Sequence, residues 1–350
     1  MKQFWILLVA ILLLGSVSNA EEESVYRFAY IGCNRLGFEV NIAENPSTAN
    51  VQQLKNTFRE VARTEPRPTH LFFVGDLILG YTGWLSTVDQ LQAWKALYDE
   101  SELPRSGVTL VPVMGNHEAL LSLQNKTTKE WTDYPNPPAV KAWKYVMKPL
   151  LRWRDGPDQT APNKDSLILD ESDLSFTVVD RNVMFICLNT DTFIDNVTTG
   201  DIPLHWLEQK LNEGQNDPAI EHIFVMGHKP LVMPDMLAWI VREEERQPAI
   251  DLLTNHSKVR AFLTSHYHFW DFRVMPGGVP QIIAGNGGSP LKGSFLEPGV
   301  GYFGYTMIDI LKNGDIVAES WGRPVPDPYS SDEPQPAATL RERKVLSGRT

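Results

Sequence analysis

The chain has 350 residues, 42% of them hydrophobic and 21% charged, which suits one large domain or one domain with an elaborate insertion. A formal charge of −11 excludes an electrostatic case for nucleic acid as the default partner. On so acidic a chain any phosphate chemistry needs positive charge gathered locally, and bound metal is a direct way to supply it.

Lys2 precedes an apolar run from Phe4 to Leu14, and small residues dominate from Gly15 to Ala20. Ser18 and Ala20 fit an A-x-A-like cleavage site, so residues 1–20 are expected to be a signal peptide. The run is shorter than the ~20 residues of a spanning helix, and no second candidate follows. The mature chain is therefore expected to lack a transmembrane segment and to be exported, either periplasmic or secreted.

The first β-rich run, Val25–Ile31, ends at Gly32-Cys33-Asn34-Arg35. Val51, Leu54, Phe58, Val61 and Ala62 then recur at helical spacing, with Ser47 or Thr48 as the cap. A second strand, His70–Val74, ends at Gly75-Asp76, and Val88, Leu91, Trp94, Leu97 and Tyr98 mark a second helix. Val108–Met114 runs into Gly115-Asn116-His117-Glu118. From Leu120 to Ser172 the rhythm breaks: Trp131, Tyr134, Trp143 and Trp153 lie among prolines without a clear strand. That stretch reads either as a substrate-facing cap or as a peripheral insertion with its aromatics packed inward.

Strands resume at Leu174–Val179 and Val183–Leu188. A third helical stripe, Leu204, Leu207 and Leu211, follows Asp201 as cap with Pro203 in the first turn. His222–Met226 ends at Gly227-His228, Ala261–Thr264 leads to His266-Tyr267-His268, and Gln281–Ala284 precedes a glycine-rich turn around Asn286. Gly304–Leu311 and Asp315–Ser320 read as a closing hairpin across Asn313-Gly314. Strands alternating with helices predict an α/β layered fold. Residues 21–322 are expected to form the domain, 120–172 its insertion or cap, and the Pro-, Ser- and charge-rich 323–350 a disordered tail.

Two cysteines occur. Cys187, inside an apolar run, reads as a buried strand residue, whereas Cys33 sits among polar residues at a strand end. Whether they pair is open.

Carboxylate, amide carbonyl and neutral imidazole are the donors that divalent cations favour. Asp76, Asn116, His228 and the His266/His268 pair each follow an apolar run, and open α/β sheets gather ligands beyond the carboxyl ends of their strands. In an extended segment His266 and His268 would face the same side. His70, His205, His222 and His256 lack this setting and read as structural or solvated.

Gly75-Asp76, Gly115-Asn116-His117-Glu118, Gly227-His228 and Ser265-His266-Tyr267-His268 resemble motifs two to five of the calcineurin-like metallophosphoesterases. The resemblance spans roughly residues 25 to 320 in the family's order. It implies a four-layer αββα sandwich and hydrolysis of a small-molecule phosphoester by water activated on one or two divalent ions, Mn, Fe or Zn. It also implies that Asp76 bridges two metals, that Asn116, His228 and His266 bind the second, and that His268 binds the first. His117 is implied as the group that orients phosphate or protonates the leaving oxygen, its ring held by Glu118 or a neighbour.

The family's first motif reads Asp-x-His, where this chain has Cys33-Asn34-Arg35. Three outcomes are open. Cys33 or Asn34 replaces the missing donors; or only the second metal binds and Arg35 supplies positive charge to phosphate; or the site binds without turnover, as a scaffold or binding module. The tyrosine of a ferric purple site is absent too: position 79 is Leu, with Tyr81 two residues on.

Overall fold

A computed structural model describes residues 23–158, 165–233, 240–292 and 299–346. The expected signal peptide at 1–20 lies outside the described residues.

Two six-stranded sheets form the core of the fold. The first takes β1 (Ser24–Ile31), β2 (His70–Val74) and β3 (Thr109–Val113), with α1 (Val51–Arg63) and α2 (Trp84–Glu100) in the connections. After β3 come a one-turn helix α3 (Asn116–Ala119), a hairpin of β4 (Leu120–Gln124) and β5 (Trp131–Pro135), and α4 (Pro137–Met147). The second sheet takes β6 (Phe176–Asp180), β7 (Val183–Leu188), β8 (His222–Gly227), β9 (Val259–Thr264), β10 (Trp270–Val274) and β11 (Pro280–Ala284). Its crossovers are α5 (Leu204–Asn216) and α6 (Glu243–Asn255). The chain then returns to the first sheet as β12 (Tyr302–Leu311), β13 (Ile316–Pro324) and β14 (Thr339–Leu346). The orders are β14-β13-β12-β1-β2-β3 and β10-β11-β9-β8-β7-β6.

Aromatic rings join the two sheets. Phe28 of β1 meets Phe185 of β7 at 4.8 Å and Phe224 of β8 at 4.9 Å, and Phe72 of β2 meets Phe185 at 4.6 Å. Neighbouring Phe73 points to the opposite face, as strand alternation requires, and meets Trp94 of α2 at 5.3 Å. Trp206, Leu207 and Leu211 of α5 and Ile250 and Leu253 of α6 cover the outer face of the second sheet. The central strands are thus buried on both faces, which is why they read as continuous apolar runs. The layers are those of the αββα sandwich.

Several local expectations need correction. The α1 cap is Asn50, whose side chain accepts from Gln53 N, rather than Ser47 or Thr48. Asp201 does not cap α5; it pairs with Arg242, and Asp165 accepts the N–H groups of His205 (2.8 Å) and Trp206 (3.1 Å) from a distance in sequence. Pro203 is the N-cap rather than a first-turn residue. The 120–172 stretch does contain strands, β4 and β5, and it divides: Trp143 and Met147 enter the main core while Trp131 stays half in water.

The expected disordered tail is the largest correction. Arg323 is fully buried, donating to Gln53 Oε1 at 3.1 Å and pairing with Glu60, both on α1. Residues 339–346 then form β14, antiparallel to β13. Composition missed this because an edge strand needs only a partner's free N–H and C=O groups, whatever its own surface charge. Cys33 and Cys187 are both free and buried.

Candidate metal centre

The site lies where β1, β2, β3, β8 and β9 end. Asp76 follows β2 through Gly75, whose φ of 81° and lack of a side chain are both required: a Cβ there would collide with the His228 ring. Cys33, Asp76 and His266 are non-glycine residues with φ of 56°, 59° and 66°. Left-handed backbone at three neighbouring site residues is strain held by the surroundings. Gly75 O accepts from Cys33 N at 3.0 Å, and Asp76 O from Asn34 N at 2.9 Å and Arg35 N at 3.2 Å.

Glu118 fixes the same turn. Its carboxylate accepts the backbone N–H groups of Gly115 (2.9 Å), Asp76 (3.0 Å), Leu77 (2.7 Å) and Ile78 (3.1 Å). Of the two holders expected for the His117 ring, Glu118 or a neighbour, it is therefore not Glu118; the carbonyl of Leu79 holds it. A carbonyl only accepts, so His117 Nδ1 carries the proton and Nε2 presents a lone pair, 3.9 Å from Asp76 Oδ2.

Four donor atoms meet on the other side of Asp76. His228 Nε2 lies 3.1 Å from Asp76 Oδ1, 3.0 Å from Asn116 Oδ1 and 3.1 Å from His266 Nδ1, and His266 Nδ1 lies 3.0 Å from Asn116 Oδ1. The Val74 carbonyl, 2.9 Å away, accepts a hydrogen bond from His228 Nδ1–H, which leaves Nε2 as an acceptor. Asn116 donates its amide nitrogen to the Tyr81 hydroxyl, and this turns its Oδ1 into the cluster. Lone pairs crowded at such distances repel unless a cation lies among them, so the donor set fits a divalent metal ion.

Burial opposes ionisation of Asp76, but the rings of His228 and His117 and the Arg35 guanidinium hold its carboxyl well below the usual carboxylate range. The carboxylate in turn raises the proton affinity of His228 against the effect of burial. A bound cation satisfies the same field without that proton. Burial, then Arg35, lowers His117 to about 3, so its ring is neutral at rest.

The second group is Cys33, Asp76 and His268, with their donor atoms within 4.8 Å of one another. His268 donates Nδ1–H to Pro290 O at 2.6 Å, which frees Nε2. Burial, and the nearby Asp76 charge, push the Cys33 thiol well above its ordinary range. Arg35 enters the same half, with Nε 3.8 Å from Asp76 Oδ2. Asn34 commits its amide N–H groups to Asn50 O (3.2 Å) and Gly287 O (2.8 Å), leaving only Oδ1 without a protein partner.

His266 and His268 do not share a face by strand alternation. β9 ends at Thr264, His266 is left-handed, and the two rings enter different groups: His266 joins Asp76 and His228, His268 joins Asp76 and Cys33. Asp76 belongs to both. Sequence reasoning missed the part of Tyr81; its position two residues from Leu79 was the available signal. It also missed Lys229, buried beside His228 and paired with Asp191 at 2.5 Å. His70, His205, His222 and His256 lie outside both groups.

The calcineurin-like phosphoesterase family model matches residues 39–269. The match begins after Arg35, so the altered first cluster lies outside it. No curated protein matches by sequence. Among solved structures, the purple acid phosphatase PPD1 of yellow lupin (Lupinus luteus) seeds superposes with a TM-score of 0.59 at 14% identity. The alignment covers 93% of this chain, which spans only 54% of the lupin protein. A dimetal phosphatase from Danio rerio gives 0.56 at 13% identity, covering 93% of this chain and all (100%) of the other. PhoD gives 0.54 at 10%, covering 93% and 72%. At these identities the likeness establishes the fold. With two thirds of the sequence matched by the family model, and with both donor groups of a metal site assembled around Asp76, the chain belongs to the calcineurin-like phosphoesterases.

Proposed function

We propose that the chain is a catalytically competent hydrolase of small-molecule phosphoric esters. Asp76, Asn116, His228 and His266 hold one divalent ion, Mn, Fe or Zn. The observation that carries this reading is the convergence of their four donor atoms, with His228 and Asn116 turned so that lone pairs face inward. When bound, the ion activates water and neutralises phosphate charge. Cys33 and His268 complete a second position only if binding removes the thiol proton, so Arg35 is a resting source of positive charge in that half.

Arg35 grips a phosphate oxygen through its planar fork. His117 is neutral at rest, and the negative charge of a bound phosphate raises its proton affinity. Nε2 can then pass a proton to the leaving oxygen. Tyr81 acts through Asn116, keeping its carbonyl aimed at the cluster. The leader-like residues 1–20 support export of the mature chain; among the described residues no helix is long and apolar enough to cross a membrane.

Metal quantification together with turnover of a panel of mono- and diesters tests the proposal. One to two ions per chain are expected, with loss of metal and turnover in Asp76→Ala and His228→Ala. A wild-type site that stays empty after reconstitution defeats it. Full metal loading with no turnover of any ester favours the rival reading, a binding module, which the altered Cys33-Asn34-Arg35 cluster motivates.

A further inference from the structure

Three aromatic rings gather beside His117. Tyr81 lies 4.1 Å from the imidazole centroid, Phe38 lies 6.3 Å from Tyr81 with its plane 8° away, and Trp131 lies 6.0 Å from Phe38 with its plane 14° away. Phe38 is itself 6.5 Å from the His117 ring. The cluster is assembled from three separate parts of the chain: the loop after β1, the loop after β2, and the first residue of β5.

Phe38 is 63% exposed and Trp131 50% exposed, although both could be small or polar without cost to the core. Two large rings left in water beside a polar reaction centre form an apolar surface with a direction: one end is open, and the other ends at the imidazole that faces Asp76. Their near-parallel planes suit a further planar ring better than a flexible chain.

We propose that Phe38 and Trp131 form the leaving-group subsite, and that the substrates are phosphoric esters of alcohols carrying a planar aryl group close to the ester oxygen. This deepens the hydrolytic reading and rests on it. The phosphate sits at Asp76 and Arg35, the ester oxygen points toward His117 Nε2, and the aryl ring lies against the cluster. Phe38 and Trp131 then set specificity without touching the reacting atoms.

The test compares kcat/KM for benzyl phosphate and ethyl phosphate with the metal-loaded protein. Both esters release a primary alcohol, so their ratio reports mainly on the ring. Stacking and burial of one ring warrant a benzyl preference of about three- to tenfold, and the ratio should fall toward one in Phe38→Ala and in Trp131→Ala. Both side chains are exposed, so the variants retain the core. Calorimetric binding of benzylphosphonate and ethylphosphonate supplies a second readout that does not need turnover, and the same preference is expected there. Turnover with equal ratios in wild type and variants overturns the subsite and leaves the hydrolytic reading intact. A benzylphosphonate preference lost in the variants, without turnover of either ester, keeps the subsite and defeats hydrolysis. Equal affinity for the two phosphonates, or binding of neither, overturns the subsite.

Discussion

The two carboxylate oxygens of Asp76 face different partners, and Arg35 stands on one side only. Oδ1 meets His228 Nε2 at 3.1 Å, while Oδ2 has Arg35 Nε at 3.8 Å, Cys33 Sγ at 3.9 Å and His117 Nε2 at 3.9 Å. One half of the site is therefore built from neutral donors around a carboxylate, and the other already contains a fixed cation. A guanidinium cannot be deprotonated in a protein, so its charge is present with or without metal.

Arg35→Ala should weaken inhibition by inorganic phosphate. Loss of a hydrogen bond from a charged donor corresponds to about tenfold in the inhibition constant, read from steady-state kinetics at saturating metal. Unchanged inhibition would show that the guanidinium does not contact phosphate.

His117→Ala should lower kcat by about a hundredfold or more, the usual contribution of a positioned acid–base group, while metal content stays at the wild-type level. Its Nε2 faces Asp76 Oδ2 but lies outside both donor groups. Parallel loss of metal, measured on the same samples, would make it a ligand and overturn the role given to it here.

Arg323→Ala should destabilise the protein strongly. The side chain is fully buried against Glu60 and Gln53 of α1, and its loss leaves a partly buried carboxylate without its cation, typically about 3–5 kcal/mol. Denaturant unfolding reads this directly. A midpoint unchanged from wild type would mean that the segment leading to β14 is not anchored as described.

Glu171 provides a pH test away from the metal centre. Burial, relieved only in part by N–H donation from Phe193 (2.7 Å) and Asn189 (3.0 Å), pushes its carboxyl up to about 7 from 4.5. The folded state thus holds this proton more tightly than the unfolded chain, so folding stability falls as pH rises from about 4.5 to about 7. The unfolding temperature of wild type relative to Glu171→Gln should decline across that window and stay level above it. A flat difference would show that the carboxyl ionises normally.

The ligand residues were legible because each closes an apolar run: Asp76 after His70–Val74, Asn116 after Thr109–Val113, His228 after His222–Gly227. Such runs identify strands buried on both faces, and their ends are where a layered α/β sheet opens to a ligand. Asp201 was misread, and the role of Glu118 left undecided, for the opposite reason. Their remote partners, Arg242 for Asp201 and the backbone of residues 76–78 for Glu118 (beside its local bond from Gly115 N–H), lie 41 and 40–42 positions away, and no local pattern encodes those.

By itself, then, the order of residues determined an α/β layering and the donor types, since alternation and strand-end chemistry are local properties of a chain; the four-layer sandwich came only from the family resemblance. Tertiary structure alone decided how Asp76 divides its oxygens, that His266 and His268 part company, that Phe38 comes to lie beside Trp131, and that residues 339–346 join a sheet. Each of these depends on distances between segments remote in sequence, which are set by packing of the whole fold.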